Sequence, residues 1–573
     1  MVSLRYVAAA AAAFLGTLAL AQDDDDSSCQ IMADMDLDGT DLTSTPHDNP
    51  TNCCGDCQAT DGCVAYTWFE GTCYLKSDRG NAKDLEGAVS GTVGDTPPPS
   101  TVAPIDSCPS RVRKSWDALS SDEQATFVSA LELAMDKGMY QKFVYIHQER
   151  MSNMEAHGTC VFLFWHRKYL LAFENMLRSF GREYECLTLP YWDYVQNYAT
   201  MADSEPGQAC ASIEACSPVT TGLGGSIDGT PSSHSFFGAS YPRNTCVPNR
   251  PLNHMCVHAG SGDCDHCVPR GDWAHTPMIA DMSIDNIRSQ LFHSASSIRS
   301  VSNAIELSPH NIMHGTLAGP MGNPLVSPMD PIFFMHHNTI DLLHTIFYHC
   351  QVEPLGDLSE DDLKSDTRVF EGCSTDNGDD LEATSPLLMR VGDSDNPVDV
   401  AEDPLVGAFF QDLPTQYYKL TDVRRLGYSF ELKGLLGNLY STCGDPNAAP
   451  QPERLGNATT VDHTVQPVTL KETLNVLAFE KDVLAQASRQ HMTTDQGYAE
   501  IRKMTVMLHE NCLPGSVQDF SDEFKTQWRI QGTVPSFAVL QAIQSGENPI
   551  RIANWTDYLF KYFGCRGDVK VID

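Results

Sequence analysis

Basic side chains are scarce in this sequence. Lys and Arg account for 38 of its 573 residues, against 75 Asp and Glu, which leaves a formal net charge of −37 at pH 7. No cluster of basic residues locally reverses this excess. Because binding to nucleic acid or to an anionic membrane surface depends on Lys and Arg neutralising phosphate groups, we expect neither nucleic acid nor membrane as a partner.

Long apolar runs are scarce as well. The one clear run, VAAAAAAFLGTLAL, follows a single Arg near the N-terminus and leads to the small-residue sequence ALA before Gln22. It is shorter than the ~20 residues that a spanning helix needs, and the acidic sequence DDDD follows at once, so a membrane anchor is disfavoured. Residues 1–21 are therefore predicted to be a cleaved signal peptide of a secreted, extracellular protein.

Cysteine, by contrast, is abundant. Six of the 20 cysteines fall between Cys29 and Cys73, and fourteen fall between Cys108 and Cys565. Both counts are even, as expected if each region pairs within itself in an oxidising compartment. The sequons at Asn457 and Asn554 agree with export and predict a glycoprotein.

The chain divides into modules by composition. Residues 27–93 are dense in cysteine and contain two strand-like runs, VAYTWF and CYLK, so a small disulfide-rich α+β module is expected. A Pro-rich linker (94–107) follows it. A second linker (443–467) separates a large central region (108–432) from a helical C-terminal extension (468–573).

The central region has helical periodicity. SWDALSSDEQATFVSALELAMDKG begins with capping residues and ends at Gly138, and FLFWHRKYLLAFENMLRSFG again stops at a glycine. Residues 200–275, rich in Gly, Ser, Pro and Cys, predict long disulfide-tied loops. The expected fold class is mainly α, with a four-helix-bundle core.

Six histidines form two sets with metal-ligand spacing. His147, His157 and His166 lie on or beside successive predicted helices. His310 and His314 are four apart, so they share one helix face, and a third histidine follows in DPIFFMHHNTIDLLH. Three neutral imidazoles per ion suit zinc, copper, iron or nickel, and a bundle whose helices donate inward ligands can hold two ions.

A weaker cluster occurs in NHMCVHAGSGDCDHCV. It offers His254, His258, Cys264, His266 and Cys267, which would suggest zinc in a cytosolic protein. In a secreted chain the better interpretation is a loop closed by disulfides.

The histidine motifs carry a family resemblance. AHGTCVFLFWHRKYLLAFENMLR resembles the first copper motif of the tyrosinase family, and SPHNIMHGTLAGP with SPMDPIFFMHHNTIDLLH resembles the second. LPYWDY and the Tyr428-x-Phe430 element match two further landmarks, so the resemblance covers about 108–432. The phrase CVAYTW…CYLK resembles PAN/apple-like modules, which bind protein or carbohydrate; a disulfide-stapled spacer is the alternative.

The resemblance implies a dinuclear type 3 site with two copper ions. By position, one ion is bound by His147, His157 and His166 and the other by His310, His314 and His337, with His336 as a neighbour. The implied activity is an oxidoreductase (monooxygenase) reaction that uses O2 to turn phenolic or catecholic small molecules, or tyrosyl side chains, into o-quinones. Asp341, one turn after His337, is expected either to orient that ligand or to have a plain helix-surface or capping role.

Two further residues are candidates for the catalytic step. A phenol titrates near 10, so its proton must be removed at neutral pH. In related tyrosinases a Glu and an Asn placed like Glu306 and Asn311 hold a water that acts as base, which favours monophenolase as well as diphenolase activity. Glu155 stands where several relatives carry a cysteine cross-linked to the second ligand, so that cross-link is expected to be absent.

Three alternatives stay open. The chain could be a catechol oxidase without monophenolase activity. It could be an oxygen-binding protein like molluscan haemocyanin, although it lacks the repeated units of such proteins. It could be a matrix protein with a degenerate copper domain, which six intact histidines argue against. The C-terminal extension predicts a latent proenzyme, with a structural helical tail as the alternative.

Overall fold

The computed structural model describes residues 29–47, 49–50, 52–60, 62–80, 82–93, 108, 110–204, 209–231, 235–257, 264–293, 297–375, 377–392, 396–445, 462–466 and 468–566. The predicted signal peptide (1–21), the first linker (94–107), most of the second linker, His258 and Asn457 lie outside these ranges. The chain forms two compact units that divide between Asp106 and Ser107.

The first unit is a five-stranded antiparallel sheet with one helix. Its elements are β1 (Cys29–Leu37), β2 (Asp41–Pro46), α1 (Asn52–Ala59), β3 (Ala65–Phe69), β4 (Thr72–Lys76) and β5 (Ala82–Val93), in the sheet order β1-β5-β3-β4-β2. The Cys53–Cys73 disulfide ties α1 to β4. The two strands expected from VAYTWF and CYLK are thus confirmed as β3 and β4.

The second unit is mainly helical. Its helices are α2 (Ser121–Asp136), α3 (Met139–Gln148), α4 (Arg150–Ala156), α5 (Phe162–Arg178), α6 (Tyr194–Ala202), α7 (Ile213–Cys216), α8 (Pro218–Gly222), α9 (Ile284–Arg288), α10 (Ile298–Ile305), α11 (Ile312–Leu317), α12 (Ile332–Gln351), α13 (Glu360–Ser365), α14 (Gly434–Thr442), α15 (Lys471–Arg489), α16 (Thr494–Cys512), α17 (Asp522–Gln527), α18 (Pro535–Gln544) and α19 (Trp555–Phe563).

Its strands are short, and most lie in the loops around the helical core. They are β6 (Val112–Arg113), β7 (Thr230–Pro231), β8 (Ser235–Phe236), β9 (Ala239–Ser240), β10 (Thr245–Val247), β11 (Val268–Arg270), β12 (Cys373–Ser374), β13 (Asp380–Leu381), β14 (Arg390–Val391), β15 (Val398–Asp399), β16 (Ser429–Leu432) and β17 (Thr464–Val465). The expected fold class, a helical core with long disulfide-tied loops behind a small α+β module, is confirmed.

Helix α2 begins where its capping residues predict. The Ser120 hydroxyl accepts a hydrogen bond from the backbone N–H of Glu123, and the Glu123 carboxylate accepts one from the Ser120 N–H, which completes a capping box. The chain leaves α2 through Gly138 at φ +71°, a left-handed conformation that costs glycine little. This turn sends α3, which carries His147, back along the core.

The centre of the unit is an aromatic interface between α5 and α12. The rings of Phe173 and Phe334 stack with centroids 3.5 Å apart, and Tyr169 stacks on Phe334 at 6.0 Å. Both helices are buried over nearly their whole length, and α5 buries charged residues such as Arg167 and Glu174 together with its apolar ones. Apolar burial of this extent is the main stabilising contribution to the unit.

A buried ion network crosses the same interface. One oxygen of the Asp341 carboxylate accepts from Arg167 Nε at 2.6 Å, and the other accepts from Arg113 Nη1 at 3.0 Å. The Tyr428 hydroxyl also donates to Asp341, at 2.6 Å, while Arg113 Nε donates to Glu174 at 2.7 Å. Asp341 therefore neither lies on the helix surface nor bonds His337, and both expectations for it were wrong; its partners are the arginines.

The disulfides of the second unit stay within it. Cys256 pairs with Cys264, and Cys246 pairs with Cys267, so the disulfide interpretation of that loop is confirmed and the zinc interpretation is excluded for these cysteines. Among the described residues, no helix is both long and apolar enough to traverse a bilayer.

The C-terminal helices α15 to α19 pack against the core. Strand β17 pairs in parallel with β16, and the neighbouring His463 ring is buried against Phe430, whose N–H donates to His463 Nδ1 at 3.0 Å. Further along, Arg288 of the core forms a buried ion pair with Glu480 at 2.7 Å. The extension is thus a folded part of the second unit.

Replacing Asp341 with Asn should destabilise the second unit strongly. Arg167 would lose the carboxylate that pairs with it and Arg113 would keep only Glu174, and breaking a buried ion pair from one side costs about 3–5 kcal/mol. Thermal unfolding followed by circular dichroism should show a clear fall in Tm. The control is Glu123→Gln, which breaks an exposed pair with Lys114 and should change Tm little. An Asp341→Asn variant as stable as the control would show that the network is not structurally important.

Candidate metal centre

The first histidine triad is assembled from three chain segments. His147 lies at the end of α3, His157 directly follows α4, and His166 lies in the first half of α5. Their ligand atoms lie within 4.8 Å of one another. His157 is extended (φ −129°, ψ 143°), and Gly158 at φ +69° then turns the chain toward α5.

Backbone carbonyls determine which nitrogen of each ring faces the centre. The Nδ1 atoms of His157 and His166 donate to the Asn153 and Phe162 carbonyls at 3.2 and 3.0 Å, and His147 Nδ1 faces the Leu325 carbonyl at 3.5 Å. The three Nε2 atoms are buried and have no hydrogen-bond partner. Buried polar atoms without a partner are costly, and three imidazole lone pairs aimed at one point fit a metal ion.

The second triad comes from two helices. Ser308 is extended directly before Pro309, so a fresh helical turn begins there and carries His310 and His314 on one face. His337 reaches the same point from α12, with its Nε2 3.3 Å from His310 Nε2 and 3.2 Å from His314 Nε2.

Hydrogen bonds at Nδ1 fix the tautomer of two of these three rings. His314 Nδ1 lies 2.7 Å from the Met321 carbonyl and His310 Nδ1 lies 2.9 Å from Asn311 Oδ1, so both Nδ1 atoms carry the proton. Their Nε2 atoms are then acceptors that point at a common space. With the His337 proton on Nδ1 as well, a cation in that space would be bound by three nitrogens, so the second triad also fits a metal ion.

The two triads adjoin each other. The rings of His166 and His337 stack with centroids 4.3 Å apart, and those of His157 and His310 are 6.3 Å apart. All six histidines expected as ligands are therefore brought together as two neighbouring three-nitrogen sites. His336 stays outside both sites and stacks on His310, with centroids 5.5 Å apart.

Burial keeps the six rings uncharged. Desolvation lowers the pKa of every imidazole of the two triads, to about 4 for His157 and well below the usual value for the other five. At neutral pH all six therefore have a free lone pair. A metal ion can bind there without first displacing protons.

Glu306 lies beside both triads. It is buried, and its carboxylate accepts a hydrogen bond from the N–H of Gly158 at 2.7 Å, next to the ligand position His157. Burial raises the pKa of Glu306 to about 8, and that hydrogen bond lowers it only in part. Asn311, the other expected catalytic residue, uses its side-chain oxygen to orient His310.

Glu155 and Cys160 are engaged elsewhere. The buried Glu155 carboxylate accepts from the Tyr417 hydroxyl and from the Leu388 N–H, and Cys160 forms a disulfide with Cys373. The cross-link between a cysteine and the second ligand needs a sulfur atom, and Glu155 does not provide one at this position.

Trp528 of the C-terminal extension covers the centre. Its ring centroid lies 4.6 Å from that of His314 and 5.8 Å from those of His157 and His310, and its Nε1–H donates to the Gly322 carbonyl at 2.9 Å. Trp528 lies in none of the sequence motifs described above. The only signal was the i, i+4 series Phe520, Phe524 and Trp528 in an otherwise polar segment, whose rings stack in sequence.

A cavity of about 680 Å³ opens beside Trp528. His157 contributes to its lining, together with a loop of the core and a short segment of the extension. Asn153, Pro324, Leu325 and Trp528 are among the residues that line it. The cavity is the route by which a small molecule could approach the first triad.

Comparisons with known proteins agree with this geometry. Residues 137–349 match the family model described as the common central domain of tyrosinase, and residues 35–76 match the PAN domain. A tyrosinase of Hahella sp. (strain CCB-MM4) is 28% identical over 227 residues, which cover 39% of this chain but only 44% of that protein. A tyrosinase of Streptomyces antibioticus is 27% identical over 246 residues, covering 40% of this chain and 81% of the other.

Solved structures are more distantly similar. A polyphenol oxidase from Thermothelomyces thermophila is 20% identical, with a TM-score of 0.35 over 56% of this chain and 88% of the other. A functional unit of octopus hemocyanin is 15% identical, with a TM-score of 0.34 over 58% of this chain and 73% of the other. Since these scores are low, the likeness to tyrosinases rests on the sequence matches over the central region.

Replacing His337 with Gln should remove one metal ion per chain. The second triad would keep two of its three ligands, so its ion should be lost on dialysis while the first triad keeps its own. Metal content after loading with copper, measured by mass spectrometry, checks this. The control is His349→Gln on the same helix, where the histidine pairs with Glu353. Equal metal content in the two variants would contradict His337 as a ligand.

Proposed function

We propose that this chain, which carries the central domain of the tyrosinase family behind a PAN domain, is a secreted copper-dependent phenol oxidase. It hydroxylates monophenols at the ortho position and oxidises o-diphenols to o-quinones with O2. The observation that carries the proposal is the convergence of six imidazole rings, each offering one ligand nitrogen, into two adjoining triads.

Three imidazoles per ion leave a coordination position open, and two copper ions held side by side supply the electrons that activate O2. His147, His157 and His166 would hold one ion, and His310, His314 and His337 the other. The protein also excludes water. The Phe333 ring stacks on His337 at 3.9 Å and Phe162 lies 4.7 Å from His310, so apolar rings wall the centre.

Glu306 is the proposed acceptor of the phenol proton, acting directly or through a water shared with the Asn311 amide. It is close to both triads and its pKa of about 8 lies near the working range of a general base. Bound copper would add nearby positive charge, which lowers the pKa of a carboxyl group and favours the ionised form. The phenol itself would enter through the cavity beside His157.

The protein is proposed to be made in a latent form. Trp528 occupies the space over His310 and His314 that an aromatic substrate ring would need, and its hydrogen bond to Gly322 holds it there. The extension that carries it would have to move before phenols reach the second copper. Substrates would be small phenols, catechols or accessible tyrosyl side chains.

Two alternatives are kept. A catechol oxidase would share every feature above except a competent base at Glu306. An oxygen-binding protein is favoured by the Trp528 cover, since a centre closed to phenols but open to O2 through the cavity would bind oxygen without oxidising a substrate.

The proposed extracellular location is supported by the disulfides, a glycosylation sequon and the PAN domain. The disulfide-tied loops agree with an oxidising, extracellular location, and Asn554 is an exposed candidate for glycosylation. The PAN domain is proposed to bind carbohydrate or protein, which would place the oxidase near an extracellular target.

Replacing Trp528 with Ala should increase oxygen uptake with DOPA by about tenfold or more. Only open molecules bind substrate, so the apparent affinity scales with the open fraction, and the substitution should raise that fraction. The assay is oxygen consumption by the copper-loaded protein. Phe560→Ala is the control, since Phe560 is a half-exposed ring on the same extension. Reversible oxygen binding without turnover in the Trp528 variant would instead identify an oxygen carrier.

Replacing Glu306 with Gln in the Trp528→Ala background should lower the rate with tyrosine by about a hundredfold, the lower limit of what a positioned base contributes. The rate with DOPA should change far less, because a catechol needs no ortho-hydroxylation. Oxygen uptake with the two substrates, compared as a ratio, is the measurement. A parallel loss with both substrates would assign Glu306 a structural role.

A further inference from the structure

We propose that Asn153 is a positioning residue for the first copper, which holds His147 and His157 in their ligating orientation at the same time. The inference rests on the proposed dicopper function and names a residue outside the histidine motifs. It starts from a difference between the triads. His310 and His314 share one helical turn, whereas the ligands of the first triad come from three segments that the local backbone does not align.

The Asn153 side chain joins two of these segments to a loop. Its amide nitrogen donates to the His147 carbonyl at 2.9 Å and to the Pro324 carbonyl at 2.8 Å, and the residue is 7% exposed. A single planar NH2 group therefore satisfies two backbone acceptors. This fixes the loop that contains Pro324 against the end of α3.

The same residue acts on both imidazole rings. The backbone carbonyl of Asn153 accepts the proton of His157 Nδ1 at 3.2 Å, and the hydrogen bonds of the Asn153 side chain hold that backbone in place. The Leu325 carbonyl, which directly follows the Pro324 carbonyl bound by Asn153, faces His147 Nδ1 at 3.5 Å. Both Nε2 atoms are thereby directed at the metal position. Partners of this kind fix the tautomer and rotation of a metal-bound histidine.

Asparagine suits this position for a chemical reason. Aspartate has the same shape but no donor at neutral pH, and its charge would face two carbonyl oxygens. Leucine fills similar space but would leave both carbonyls without a partner in a buried site. Pro324 and Leu325 also line the cavity beside His157, so the loop that Asn153 anchors belongs to the wall that a substrate would pass.

The test compares Asn153→Leu and Asn153→Asp with the wild-type full chain. Copper content at equilibrium with a chelator should show two ions per chain in the wild type. In both variants one ion should be held about 10–100-fold more weakly, the cost typical of disturbing the orienting partner of a metal-bound histidine. The loss of the amide releases the loop whose Leu325 carbonyl faces His147 Nδ1, whereas the backbone bond to His157 remains. Asn244→Leu is the control, because it removes an amide that donates to the Arg270 carbonyl and has no bond to a histidine of either triad.

A spectroscopic signature separates positioning from unfolding. Two adjacent cupric ions couple and give little electron paramagnetic resonance signal, whereas a lone ion left in the second triad gives a full one. Appearance of that signal, at about one copper per chain, is expected in both Asn153 variants and not in Asn244→Leu.

Each contrary outcome has its own meaning. Two ions held with wild-type affinity in the Asn153 variants would overturn the inference and leave the proposed function intact. Loss of both ions together, with a lowered Tm, would show that Asn153 supports the fold and not the first site in particular. A wild-type chain that binds fewer than two copper ions would contradict the proposed function itself.

Discussion

The buried ion pair between Arg167 and Asp341 sets the geometry of the metal centre. Arg167 directly follows His166 on α5, and Asp341 lies one turn after His337 on α12. The pair therefore fixes the register of the two helices, and with it the stacked contact of His166 and His337 through which the triads meet. Because both charges are fully desolvated, a slip of either helix would leave one of them without its partner. The aromatic interface stabilises the helices, and the ion pair selects their alignment.

The two triads are built by different physical means. In the second, helical periodicity alone places His310 and His314 on one face, and α12 supplies the third ring. In the first, His157 lies in an extended turn, so its ring depends on a carbonyl one turn earlier. This difference explains why a four-residue spacing alone marks two ligands of the second triad, while the first triad had to be identified from a longer motif.

Sequence reasoning predicted most of the helices and the membership of both triads, because helical periodicity and motif spacing are local properties. It could not predict Trp528, because the histidines that this ring covers are distant in sequence. It could not predict Asn153, because that side chain bonds backbone carbonyls, which no sequence motif records. The prediction for Asp341 was wrong for the same reason, because its partners Arg113 and Tyr428 lie 228 and 87 residues away in the sequence. The cysteine-rich loop was interpreted correctly because the redox environment, a global property, decides between zinc and disulfides.

The way in which the extension is attached has a kinetic consequence. None of the disulfides that the structure describes joins it to the core: Cys512 pairs with Cys565 inside it, and Cys350 pairs with Cys443 before it. If the chain were cut between Cys443 and β17, the core and the extension would be held together only by non-covalent contacts such as the β16–β17 pairing and the ion pair of Arg288 with Glu480. The lifetime of the covered state would then be the residence time of a non-covalent complex. Dilution, salt and temperature alter that residence time, and the extent of proteolytic cleavage does not measure it.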